Sequence, residues 1–264
     1  MTRSRGSLAS VDGAITLASS ATIPATDDGL LRGDGVFEVV RVYDGRPFAL
    51  EDHLRRLERS ASNLRLPLDV EAVRADANRL LAQAGAGSDH ELLRIVITRG
   101  GRRVLLTEPL PASPERIRLA SITYSPTRIL DGVKSLSYGA NMLATRLARE
   151  RGFDDALLVT PHGRVLEAPT SSIFWVKEGA ILTPPLTEHI LASITRAAVI
   201  ELAGAGERPC TLDDLAAADE AFIASTTREV QPVAAIDERT FDGVGPLTAQ
   251  TAAKITAYIQ SELG

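Results

Sequence analysis

A chain of 264 residues with 44% hydrophobic and 24% charged residues has the make-up of an ordinary globular protein, long enough for one large or two small domains with real cores. No apolar run approaches the roughly 20 residues that a membrane span needs, and Leu8–Leu17 is broken by Ser10, Asp12 and Gly13, so Arg3 and Arg5 introduce no signal-peptide core. A single cysteine, Cys210, excludes an internal disulfide and a cysteine-built metal site; together with a formal net charge of −5 it points to a reduced, cytoplasmic protein with no nucleic-acid partner.

Along the chain the first third reads as α+β. Val36–Val42 is rich in β-branched residues and is followed by the turn Tyr43-Asp44-Gly45-Arg46. Glu51 to Leu64 carries Leu54, Leu57, Ala61 and Leu64 on one helical stripe, and a second helix starts from an Asp69 cap with Val70, Val73, Ala77, Leu80 and Leu81 facing inward. Leu92–Thr98 reads as a buried strand, Thr107–Pro114 as a proline-rich loop and Ile117–Tyr124 as a further strand. A strand around Val133–Tyr138 leads into a helix from about Asn141 to Arg151. Short strands are expected at Ala156–Thr160, Arg164–Leu166, Ile173–Val176, Ile181–Thr183 and Ala221–Ala224, with helices near Ser193 and Leu212 and a closing one at Leu247–Leu263. This order predicts a small N-terminal α+β domain over 1–124, a connector at 125–131 and a larger, barrel-like α/β domain over 132–264.

Lysine occurs only at Lys134, Lys177 and Lys254. Lys177 falls in the polar turn Val176-Lys177-Glu178-Gly179, and Lys254 on the closing helix suits a surface role. Lys134 stands in the mostly uncharged Gly132-Val133-Lys134-Ser135-Leu136-Ser137-Tyr138, where desolvation favours a neutral, nucleophilic amine. An edge-strand lysine that blunts aggregation has the same surroundings. Ser193-Ile194-Thr195-Arg196 opens a helix whose backbone N–H groups suit an anion, or is an ordinary helix cap. Ser225-Thr226-Thr227 after an apolar strand offers donors to a phosphate, or is a polar loop. Glu167 at a strand end suits a protonated ring nitrogen or a simple surface charge.

Taken together, these segments resemble the class IV aminotransferases, the fold type IV enzymes of pyridoxal 5′-phosphate (PLP), from about Asp27 to Val233. Arg32-Gly33-Asp34-Gly35-Val36-Phe37-Glu38-Val39-Val40 is similar to the first-strand motif of D-amino acid aminotransferases. His53–Ser60 resembles the family's phosphate-arginine helix, Lys134-Ser135-Leu136 its Schiff-base strand, and Gly163–Glu167 with Ser172-Ile173-Phe174 its pyridine-binding segment. Thr183-Pro184-Pro185 with Ile194-Thr195-Arg196, and Asp219-Glu220 through Ser225-Thr226 to Pro232-Val233, match its two phosphate segments.

The resemblance implies that Lys134 holds PLP as a Schiff base and moves the proton of the donor's α-carbon, that Glu167 binds the pyridine nitrogen, and that Arg56, Ile194, Thr195, Ser225 and Thr226 bind the phosphate. It further implies transfer from an amino acid or primary amine to a 2-keto acid, and a homodimer whose active site lies between the domains and is completed by a loop of the other subunit. Departures fall elsewhere. Ser172 stands where relatives often carry Asn, Ser193 where they carry Gly, and Phe37 where D-amino acid enzymes tend to have Tyr. Thr98-Arg99-Gly100-Gly101-Arg102-Arg103 lacks the histidine of their carboxylate clamp. Arg32, Arg102 and Arg103 are therefore the carboxylate candidates, and Phe37 and Tyr138 candidate pocket residues. The rival on the same scaffold is 4-amino-4-deoxychorismate lyase, which eliminates pyruvate to give 4-aminobenzoate; Leu136-Ser137-Tyr138, Asn141-Met142 and Phe174-Trp175 resemble that group. A PLP carrier without catalysis and a purely structural domain are the remaining alternatives.

Overall fold

A computed structural model describes residues 6–85 and 91–264; Arg3 and Arg5 lie outside the described residues. The chain divides into a first compact unit of Met1–Pro111 with Gly132–Tyr138, and a second of Ala112–Asp131 with Gly139–Glu262; Leu263 falls to the first and Gly264 to the second.

In the first unit β1 (Leu8–Val11) and β2 (Ala14–Leu17) form a hairpin through Asp12-Gly13, both at positive φ as a tight two-residue turn requires. The same Asp-Gly pair that interrupts the apolar run is thus a turn. Helix α1 (Asp28–Arg32) is capped by the Asp27 carboxylate, which accepts the Gly29 N–H, and ends on Gly33 in the left-handed conformation. Strands β3 (Gly35–Tyr43), β4 (Arg46–Pro47), β5 (Leu92–Thr98) and β6 (Arg103–Glu108) complete a six-stranded sheet in the order β2-β1-β6-β5-β3-β4.

The alternation of β3 sends Val36, Glu38, Val40 and Val42 to one face and Phe37, Val39 and Arg41 to the other. Helices α2 (Leu50–Asn63) and α3 (Val70–Ala84) bury Leu54, Leu57, Val73 and Leu80 against the first face, with Leu93, Ile95, Ile97 and Leu105. Each such side chain contributes roughly 1.5–3 kcal/mol by burial.

Val133–Tyr138, expected as a strand, makes one antiparallel bridge, Ser135 to Val36. The segment is pinned there nonetheless. Phe37 N–H donates to the Lys134 carbonyl at 3.0 Å, and Leu136 N–H to the Gly35 carbonyl at 2.9 Å. Gly35 is required by this approach, because a Cβ there would come within 2.5 Å of Leu136 Cδ1 and 2.4 Å of the Ile97 carbonyl.

The second unit holds a ten-stranded mixed sheet. Its elements are β7 (Ile117–Thr123), α4 (Gly139–Glu150), β8 (Asp155–Val159), β9 (Arg164–Val165), β10 (Ser172–Lys177), β11 (Ala180–Thr183), α5 (Ile194–Ala203), β12 (Gly206–Glu207), β13 (Cys210–Thr211), α6 (Leu212–Ala216), β14 (Glu220–Ser225), β15 (Glu229–Ile236), β16 (Arg239–Thr240) and α7 (Pro246–Leu263). The strand order is β12-β11-β10-β14-β15-β7-β8-β9-β13, with β16 on β15. Ile117, Leu119, Leu157, Ile173, Trp175 and Ile223 share one core on this sheet.

The units divide differently from the boundaries expected at 124 and 132. Strand β7 runs parallel to both β8 and β15 and so belongs to the second unit, while Gly132–Tyr138 is bonded to β3 and belongs to the first. Apolar pattern locates a strand; only its partners assign it to a sheet. Among the described residues no helix is long and apolar enough to cross a membrane.

Candidate active site

In the first unit the Lys134 amine lies 4.5 Å from the centroid of the Phe37 ring and 6.0 Å from that of Tyr138. The two rings meet edge to face, 5.2 Å apart at 81°. Lys134 N–H donates to the Ser60 hydroxyl at 3.2 Å, so α2 holds the backbone of the lysine as β3 does. The other lysines are bonded to exposed carbonyls: Lys177 Nζ to Ala217 at 2.8 Å, and Lys254 Nζ to Leu202 at 3.0 Å.

Arg56 lies one turn before Ser60 on α2. Its Nε and Nη2 donate to the two carboxylate oxygens of Glu38, each at 2.7 Å, and His53 Nδ1 lies 2.7 Å from Glu38 Oε2. All three side chains are buried: Glu38 and His53 at 0% and 1% exposure, Arg56 at 5%. Burial alone pushes the Glu38 carboxyl up, but the hydrogen bonds and charges of Arg56 and His53 outweigh it and hold it at about 2. An arginine that meets a phosphate from here does so as half of an ion pair.

The carboxylate candidates fall elsewhere. Arg32 is exposed and pairs with Asp28 one turn earlier. Arg102 donates to Asp12 at 2.6 Å, and Arg103 to Asp76 of α3 at 2.9 Å, on the helix-covered face opposite Phe37. Residues 99–102 form the tight turn between β5 and β6, and the guanidinium of Arg99 is tied to Asp34 and to the carbonyls of Leu64 and Arg65. The arginine that does share the face of Phe37 is Arg94, whose guanidinium carbon is 6.0 Å from that ring and whose Nε and Nη2 pair with Glu108 at 2.8 and 2.9 Å. Strand alternation carries the signal for it: Arg94 faces Val39 across the ladder, two residues on from Phe37.

In the second unit Glu167 Oε1 accepts the Leu191 N–H at 3.1 Å, which ties the carboxylate to the segment leading into α5. Burial, with the negative charge of Glu167, pushes the Tyr124 hydroxyl up, placing a phenol within electrostatic reach of Glu167. Ile194 and Thr195 are the first two residues of α5, and the Ser193 hydroxyl caps it by accepting the Arg196 N–H at 3.2 Å. The N–H groups of that first turn are the ones a helix leaves without intrahelical acceptors, at its positive end. Arg196, third in the Ile-Thr-Arg motif, turns inward and donates to the Pro184 carbonyl at 2.7 Å and to Glu207 at 2.5 Å.

Ser225 ends β14, and its hydroxyl lies 3.4 Å from that of Thr227, with Thr226 between them in the turn. Arg228, whose backbone N–H returns to the Ser225 carbonyl, anchors this turn by donating to Ser113 at 2.8 Å and Gln231 at 2.7 Å. Ser172 pairs with Ala224 across β10 and β14, and the hydroxyls of Ser171 and Ser172 are buried without a partner among the described residues. Ser172 shares a sheet face with Ala224 and so lies on the face opposite Ser225, which leaves the Ser225-Thr226-Thr227 turn and the first turn of α5 as the two donor groups of this unit.

Residues 35–236 match the family described as amino-transferase class IV. A Methanocaldococcus jannaschii protein provisionally assigned as a branched-chain-amino-acid aminotransferase is 35% identical, with 86% of this chain and 88% of that one covered. A D-alanine aminotransferase of Bacillus licheniformis is 31% identical over 95% of this chain and 96% of its own. Among solved structures, a fold IV-transaminase of Curtobacterium pusillum superposes with a TM-score of 0.85 at 30% identity, covering 97% and 99% of the two chains. A 4-amino-4-deoxychorismate lyase of Pseudomonas aeruginosa does so at 0.81 and 30%, covering 95% and 98%.

Proposed function

The chain belongs to the class IV aminotransferase family, a family of PLP enzymes, and from that premise we propose that it moves an amino group from an amino acid or primary amine to a 2-keto acid with Lys134 as its catalytic amine. The observation that carries this reading is the setting of Lys134: of the three lysines it alone is held against aromatic rings, its backbone tied to both β3 and α2. A neutral amine in apolar surroundings is a nucleophile and a proton carrier, the two properties that amino transfer asks of one side chain.

When bound, PLP supplies an electron sink for the α-carbon of the amino donor. Lys134 would hold the cofactor through its amine, and that amine would carry the α-proton. Glu167, steadied by the Leu191 N–H, would serve the pyridine nitrogen. The N–H groups of Ile194 and Thr195, the Ser225-Thr226 turn and Arg56 would be the groups to hold the phosphate. Arg94 replaces Arg32, Arg102 and Arg103 as the first candidate for the substrate carboxylate, because it shares a sheet face with Phe37. As in the family resemblance, the working form is a homodimer in the cytoplasm.

The test is spectroscopic. Purified protein mixed with PLP develops a visible absorbance band, which L-leucine, L-glutamate, D-alanine, D-glutamate or (R)-1-phenylethylamine discharges and a 2-keto acid restores; the donor that acts shows the preferred hand. The similarity to the Pseudomonas aeruginosa lyase supports a second reading, pyruvate elimination from aminodeoxychorismate. A band that no donor discharges, with 4-aminobenzoate formed from that substrate, sinks the transaminase reading in its favour. If no band forms, the assignment of Lys134 is wrong.

A further inference from the structure

We infer that Phe37, with Tyr138 braced against it, is a positioning residue for Lys134: its ring face holds the amine in place. The inference rests on the reading of Lys134 as the catalytic amine. At 4.5 Å from Nζ to the ring centroid the amine rests on the ring face, close enough for an N–H to point at the π-electrons of the ring without the amine being charged. The ring itself is fixed, being 7% exposed and met edge-on by Tyr138, whose own centroid lies 6.0 Å from the amine.

Backbone bonds set the two partners in register. Phe37 N–H donates to the carbonyl of Lys134 itself, and Ser135 bridges to Val36, so the lysine and the ring occupy paired stretches of chain. A lysine side chain carries about 2 kcal/mol of rotamer entropy, and contact with a fixed ring restricts it. The ring removes much of that freedom before any cofactor arrives. A phenyl also has no hydroxyl at this position to compete for the amine by hydrogen bonding.

The test uses the full chain labelled with ¹³C-lysine, in which three lysines give three resolvable ε-methylene signals. The Lys134 signal, assigned by its loss in Lys134→Arg, is expected upfield of the other two because it sits over a ring face. Phe37→Leu moves it back among them, and Phe37→Met, which keeps length without a ring, does the same should the leucine variant not fold. Phe37→Tyr retains the shift.

In the second arm, the rate at which the neutral Lys134 amine captures the PLP aldehyde, with release of water, falls about three- to fivefold in Phe37→Leu, which no longer holds that amine in place. Affinity for pyridoxamine 5′-phosphate, which has no aldehyde for the lysine to capture, stays unchanged. A Lys134 signal that does not move in a folded ring-less variant overturns the inference. So does an equal loss for both cofactor forms, which assigns Phe37 to packing alone. A ring-shifted Lys134 signal in a wild-type protein that captures no aldehyde upholds the ring–amine contact and overturns the cofactor reading instead.

Discussion

In the first unit Glu38, Arg56 and His53 are buried together as ionisable groups and satisfy one another. In the second, the groups suited to an anion are uncharged: helix N–H groups at Ile194 and Thr195, and the hydroxyls of Ser225 and Thr227. The two arrangements differ in what happens when one member is removed. A buried ion pair that loses a partner leaves a desolvated charge, whereas a lost hydroxyl leaves only a small polar deficit. Variants in the ionic cluster of the first unit should therefore appear mainly as loss of stability, and those at the donor clusters of the second as loss of anion binding.

The largest expected effect lies on the chemistry. Lys134→Ala removes the proposed proton carrier and should lower kcat by about a hundredfold to ten-thousandfold, with the visible band absent and the fold intact by circular dichroism. Next comes the ionic cluster. Glu38→Ala leaves Arg56 and His53 buried without their carboxylate and should cost about 3–5 kcal/mol in urea unfolding. A cost under about 1 kcal/mol would remove the contrast between the units.

The same cluster sets an acid limit. The folded Glu38 carboxyl titrates at about 2, below its ordinary value of 4.5, so its contribution is fully present above pH 4.5 and is lost as pH falls toward 2. Stability measured across that window should decline less steeply in Glu38→Gln than in the parent.

Arg94→Leu should raise KM for amino acid donors by about ten- to a hundredfold, the worth of one charge-assisted carboxylate contact, while a donor amine without a carboxylate is spared. Equal effects on both donors would return Arg94 to its pairing with Glu108. The smallest effect belongs to the second unit: Ser193→Ala should cost about 1 kcal/mol of stability as a lost helix cap. That cost should shrink when PLP is bound, if its phosphate meets the same N–H groups, and a difference in Tm between the two forms measures it.

Much of this molecule is legible in its sequence. The stripe Leu54, Leu57, Ala61 marks α2, and the turn residues after Val36–Val42 mark the end of β3, because local periodicity and turn chemistry act over a few residues. The ordered motifs carry the family, and the scarcity of lysine singled out Lys134. What escaped was set at long range. Arg56 shows nothing in its own helix to distinguish it from Arg55, yet one is buried on Glu38, 18 positions away, and the other is exposed beside Asp52. No strand is expected from the sequence at β6, whose end reads as part of the proline-rich loop from Thr107; Arg102 and Arg103 stand at its start, and Asp12 and Asp76 absorb their charges in the fold.

By itself, then, the sequence determined most of the element types and the family, and it pointed to the lysine proposed for the chemistry, since each is written in residue spacing or in motifs that stand in order along the chain. The tertiary structure alone decided which sheet owns β7, that the Lys134 segment is pinned to β3 by a single bridge, that Arg56 is neutralised by Glu38, and which arginine shares a face with Phe37. Those outcomes depend on strand partners and side-chain pairings between distant positions, and their free energy exists only once the chain has brought them together.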